Sequence, residues 1–160
     1  MYTSQPRRTP SLRVSTHRAE SSSGEVTDMA AILVVDDELE VGEAIQRVLE
    51  RAGFTVVVAN SADAALQALE GHQPDIVVTD IIMPKVHGLE LIRIVRGQYP
   101  RVRVVAISGG GSFGPLAYKP DAISTHAYLA GAREAGADEV LTKPFDMGDL
   151  LATIRRLLPN

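Results

Sequence analysis

From residue 31 onward, short continuous apolar runs alternate with segments of helical period, and this alternation limits the fold more than any other feature. The run AILVV at 31–35 offers no polar side chain to solvent, as expected of a strand covered on both faces. Further runs lie at 54–59, 75–79 and 102–107, and a short one centres on Val140 and Leu141. Between them, residues 40–51 place Val41, Ile45, Val48 and Leu49 on one helical face, and Gly53 stops the helix. Ser61 is placed to cap a helix whose apolar positions include Ala64, Leu66, Ala68 and Leu69. Residues 88–98 carry Leu89, Leu91, Ile92 and Val95. Asp146 precedes a last helix with Leu150, Leu151, Ile154, Leu157 and Leu158. With a fourth helix before Val140, five strands alternate with five helices. The pattern predicts an α/β fold: a doubly wound, five-stranded parallel sheet with helices on both faces, joined by right-handed crossovers.

The first 28 residues differ. They hold six Ser, four Thr and four Arg and show no apolar periodicity. Such a segment cannot bury enough apolar surface to offset its ordering entropy, so 1–28 reads as a disordered tail before a domain at 29–160. Arg7-Arg8 lacks the apolar stretch of an export signal, and Glu20, Glu25 and Asp28 speak against a transit peptide. Met29 offers an alternative translation start. The absence of cysteine excludes disulfides, a thiolate nucleophile and Cys-type zinc sites. No apolar run approaches the ~20 residues that span a bilayer. A formal net charge of -4 argues against direct nucleic-acid binding. The expected setting is the cytoplasm.

The polar residues fall in a telling pattern. Asp36 and Asp37 follow the first strand, Asp80 the third, Ser108 the fourth, and Lys143 lies just past the fifth. In a parallel sheet these carboxyl ends share one edge, where open α/β folds bind ligands at the point of strand reversal. In the flavodoxin-like order 2-1-3-4-5 that point lies between the first and third strands, bringing Asp36, Asp37 and Asp80 together. Taken alone, an Asp after a strand is usually a turn or cap residue, and Asp36 or Asp37 can also serve the first helix in that way. Three convergent carboxylates repel unless a proton or cation sits among them, and Mg2+ is the hard, oxygen-ligated ion that suits them. Lys143, one of three lysines in the chain, supplies a compact positive charge for an anionic group, and Ser108 a hydrogen-bond donor. The set reads as a Mg2+-assisted phosphoryl site.

These residues sit in four segments: ILVVDDE at 32–38, DIVVTDIIMP at 75–84 with Gly88, ISG at 107–109, and GADEVLTKPF at 136–145. In that order they resemble the receiver domain of two-component response regulators, over essentially all of 29–160. The resemblance implies that Asp80 is the phosphoacceptor and that Asp36, Asp37, Asp80 and the Ile82 backbone carbonyl hold Mg2+. It also implies that Lys143 contacts the phosphoryl group, that Ser108 is the switch hydroxyl, and that Pro144 follows a cis peptide. The donor would be a histidine kinase or histidine phosphotransfer protein, and the output an unidentified protein target. Such a module is no enzyme toward other substrates; it catalyses only its own phosphorylation and dephosphorylation. With no residues after the fifth helix to form an output domain, the chain reads as a stand-alone receiver.

The sequence also departs from the family. Ser108 and Lys143 are 35 residues apart, about a dozen more than is usual, which predicts a long loop at 109–125. This loop motivates the rival reading, a phosphorylation-independent adaptor that binds through it. Residues 109–114 spell G-x-G-x-x-G, but Pro115 and Pro120 oppose the helix that a dinucleotide site needs, and no Lys-Ser or Lys-Thr follows as in a P-loop. Val140 stands where the family commonly has Tyr or Phe. A magnesium phosphatase, the third reading, lacks a cap domain and an obvious general acid beside Asp80. His87 and His126 are weak signals for metal ligands or phosphoacceptors, and His87, in the turn before Gly88, reads better as a solvated loop residue.

Overall fold

The computed structural model describes residues 29–81, 88–108 and 122–159. In chain order the elements are β1 (Ala31–Val35), α1 (Leu39–Arg51), β2 (Thr55–Ala59), α2 (Ala62–His72), β3 (Ile76–Asp80), α3 (Gly88–Gln98), β4 (Arg103–Ser108), α4 (Ala122–Ala135), β5 (Glu139–Thr142) and α5 (Met147–Leu157). The strands form one sheet in the order β2-β1-β3-β4-β5, with every pairing parallel. The expected α/β class and strand order are therefore both present.

Strand alternation divides the core into two layers. Leu33, Val35, Val77, Ile81, Val104 and Ala106 meet Ala65 and Leu69 of α2, Leu91, Ile92 and Val95 of α3, and Ala132 of α4. On the other face Ile32, Val34, Ile76, Val78, Val105 and Ile107 meet Ile45 and Leu49 of α1 and Leu150 and Ile154 of α5. All five residues of β3 are buried, which is why the central strand starts as the apolar run Ile76, Val77 and Val78.

Most helix limits follow the sequence signals. Ser61 accepts a hydrogen bond from Ala64 N, and Asp146 one from Gly148 N, so both expected caps form. Gly53 after α1 and Gly136 after α4 adopt φ of 102° and 121°, a region open to glycine at little cost. In α2, Ala62, Ala65 and Leu69 are buried, and Ala64, Leu66 and Ala68 pack half-buried against the same layer. One limit differs from expectation. Helix α4 begins at Ala122, so the last four residues of the predicted loop 109–125 are helical; residues 109–121 lie outside the described residues, as do 1–28.

The sheet edge at the strands' amino ends is tied by Asp138. Its carboxylate accepts from Arg96 Nη2 at 2.7 Å, from Val104 N at 2.8 Å and from Arg103 Nη1 at 3.4 Å, while Arg96 also donates twice to Gly136 O. One carboxylate thus joins α3, β4 and the turn that ends α4. Replacing it leaves the N–H of the buried Val104 without this acceptor, while Arg96 keeps only its bonds to main-chain carbonyls. Asp138→Ala is expected to lower unfolding stability by about 1–3 kcal/mol in urea titration, without changing the fold.

Candidate functional site

The register of the sheet decides which side chains meet at the carboxyl edge. Val35 pairs with Thr79, so the next residues in each strand direction, Asp36 and Asp80, are neighbours. Asp80 pairs with Ile107, and Ser108 with Thr142, which puts Lys143 beside the end of β4. The Lys143 N–H donates to Ser108 O at 2.8 Å and extends that pairing by one bond. The peptide bond from Lys143 to Pro144 is cis, as the sequence resemblance implied.

Asp36, Asp37 and Asp80 converge, each offering a carboxylate oxygen within 4.8 Å of the others. Their environments differ. Asp36 is 2% exposed and Asp80 7%, whereas Asp37 faces solvent. Asp36 Oδ1 accepts from Glu38 N at 2.9 Å, a turn that leads the chain from β1 into α1. Glu38 itself occupies the cap position without a side-chain bond to the helix.

Lys143 is the cation facing this group. Its Nζ lies 3.3 Å from Asp80 Oδ2 and 3.9 Å from Asp36 Oδ2. Burial pushes the Asp36 carboxyl up to about 6; the Glu38 N–H and Lys143 pull it down, and Asp80 and Asp37 add to the upward push. Among the described residues, three convergent carboxylates thus face the single positive charge of Lys143. Ser108 is fully buried, and its Oγ finds no hydrogen-bond partner among the described residues. A buried hydroxyl left in this way is costly unless another group completes it.

Five of the six candidate positions, Asp36, Asp37, Asp80, Ser108 and Lys143, thus lie at the edge the sequence assigned to them. Ile82 lies outside the described residues, as does His87. Two contributors were not singled out by sequence reasoning. Thr79 is fully buried, and its Oγ1 donates to the Asp80 carbonyl at 3.0 Å. Gly88 abuts the backbone of Asp80 and Ile81. The only sequence signal for the first is a hydroxyl inside an otherwise apolar strand. The second was noted as a motif residue, without a role.

Among the described residues, no helix is long and apolar enough to cross a membrane. Residues 32–155 match the family described as response regulator receiver domain. The response regulator MprA of Mycobacterium tuberculosis is 35% identical over 127 residues, covering 79% of this chain and 50% of the relative. The chain thus spans about half the length of the curated relatives it matches. Among solved structures, the signal receiver domain of a response regulator from Bermanella marisrubri is 34% identical with a TM-score of 0.69, covering 82% of this chain and 99% of that one. The receiver domain of NtrX from Brucella abortus is 30% identical with a TM-score of 0.68, covering 79% and 97%. With its parallel sheet in the order 2-1-3-4-5 and its acidic carboxyl edge, the chain belongs to the response regulator receiver domain family.

Proposed function

We propose that this chain is a phosphorylation-controlled signalling receiver in which Asp80 accepts a phosphoryl group from a phosphohistidine of a histidine kinase or phosphotransfer protein. The observation that carries this reading is the pairing of Asp80 Oδ2 with Lys143 Nζ at 3.3 Å, inside a cluster of three carboxylates and beside the unpartnered Ser108 hydroxyl. An Asp80 carboxylate oxygen attacks phosphorus; the new P–O bond forms as the P–N bond to imidazole breaks, and the leaving nitrogen keeps the electron pair. Lys143 holds the transferred group by charge, and its position against Asp80 requires no rearrangement of the sheet. Ser108 then donates its hydroxyl hydrogen to a phosphoryl oxygen, a partner it does not have among the described residues. Its displacement is the event that a downstream protein would read.

The donor set fits Mg2+. It is made of hard carboxylate oxygens converging from Asp36, Asp37 and Asp80, against which Lys143 brings a single positive charge. Asp36, Asp37 and Asp80 are the residues that would hold the ion, with the Ile82 carbonyl joining them by resemblance to the family. With Mg2+ held there, the chemistry gained is neutralisation of charge on the phosphoryl oxygens. This reading places the module in the cytoplasm, acting only on itself and its protein partners, without direct contact to nucleic acid or membrane.

Incubation with acetyl phosphate and Mg2+ is expected to add ~80 Da to the intact chain, and Asp80→Asn to abolish the adduct. A folded native chain without adduct would contradict the reading and favour an adaptor that binds through 109–125. A second outcome follows from Asp36. Its carboxyl titrates higher in the fold than the ordinary 3.8, so the folded chain binds the proton more tightly than the unfolded one. The resulting stability is present at low pH and is lost as pH rises through about 6. In EDTA, urea unfolding is expected to show a loss on the order of 1 kcal/mol between pH 5 and pH 7, a dependence that Asp36→Asn removes.

A further inference from the structure

We propose that Thr79 is a positioning residue for phosphoryl acceptance, its hydroxyl fixing the main-chain peptide on which the Asp80 side chain is mounted. The inference rests on the reading of Asp80 as the acceptor and adds to it a residue that acts through the backbone.

The observation starts from burial. Every residue of β3 is enclosed, and Thr79 is 0% exposed. Its neighbours at alternate positions, Val77 and Ile81, belong to the apolar layer under α2, α3 and α4. A valine would fill this place with the same branched shape and no polar demand, so the hydroxyl has to be explained by what it bonds. It donates to the Asp80 carbonyl oxygen at 3.0 Å.

That carbonyl shares its peptide unit with the Ile81 N–H, which donates to Ile107 O at 2.9 Å. Both ends of the peptide that follows Asp80 are therefore held, one by Thr79 and the other by β4. The next carbonyl, Ile81 O, accepts from Gly88 N at 2.8 Å, at the first residue of α3. A Cβ at Gly88 would collide with the Asp80 carbonyl oxygen and stand 2.6 Å from Ile81 Cα. The bare glycine lets the helix start close against this peptide, and the Thr79 hydroxyl bonds it.

The consequence concerns direction rather than stability alone. The orientation of the peptide after Asp80 sets the direction in which the Asp80 carboxylate leaves the backbone, toward Lys143 and away from the apolar layer. Small errors in the approach of a nucleophile reduce rate without reducing binding.

The test compares Thr79→Val, which keeps the shape, with Thr79→Ser, which keeps the hydroxyl, in the native chain background. Phosphorylation by phosphoramidate in Mg2+ is followed by intact mass across donor concentrations. Thr79→Val is expected to lower the limiting rate by roughly three- to tenfold, with the half-saturating donor concentration unchanged. Thr79→Ser is expected to recover the native rate to within about twofold. A packing role predicts the reverse order, because serine loses the methyl group and valine does not. Valine at the native rate, or serine slower than valine, would overturn the proposal. A native chain that takes no phosphoryl group would instead overturn the acceptor reading, and this inference with it.

Discussion

Among the described residues, one ammonium group stands against three carboxylates at the carboxyl edge of the sheet, and the arrangement around it follows from that imbalance. Lys143 approaches Asp80 more closely than Asp36, at 3.3 Å against 3.9 Å. Asp36 is the more enclosed of the two, and its carboxyl is pushed up to about 6 because burial outweighs the help from Lys143 and the Glu38 N–H. Three carboxylates against one ammonium can take up further positive charge, and the Ser108 hydroxyl, without a partner among the described residues, can take an acceptor. These two unmet demands are complementary to a cation and to a phosphoryl oxygen respectively.

The sheet keeps such a cluster in place because its two edges are built differently. At the amino ends, Asp138 binds Arg96, Arg103 and the Val104 N–H, and Arg96 reaches the carbonyl that closes α4. At the carboxyl ends, backbone bonds such as that from Lys143 N to Ser108 O hold the strands, and the polar side chains are left to chemistry. The Asp138 network joins elements at one end, while at the other the charged side chains converge on a shared cluster beside a Ser108 hydroxyl without a partner among the described residues.

The site was legible in the sequence to the extent that it depends on strand ends. Asp36, Asp37, Asp80, Ser108 and Lys143 could be placed together because continuous apolar runs mark buried parallel strands, and the order 2-1-3-4-5 fixes which ends are adjacent. The division of labour between Asp36, buried, and Asp37, exposed, was not legible, since it depends on which way the chain turns after β1. Thr79 was hidden for a different reason: threonine is an ordinary strand former, and only enclosure on both faces makes its hydroxyl conspicuous. Asp138 was hidden by distance along the chain, because Arg96 lies 42 residues before it.

The central claim is that the carboxylate cluster carries negative charge that Lys143 leaves unbalanced, and calorimetric titration of Mg2+ at neutral pH tests it most directly. The account predicts one site in the native chain, weakened at least about tenfold by Asp36→Asn or by Asp80→Asn, and strengthened by Lys143→Ala as a competing charge is removed. Absence of binding in the folded chain, or an affinity indifferent to Asp36 and Asp80, would contradict it.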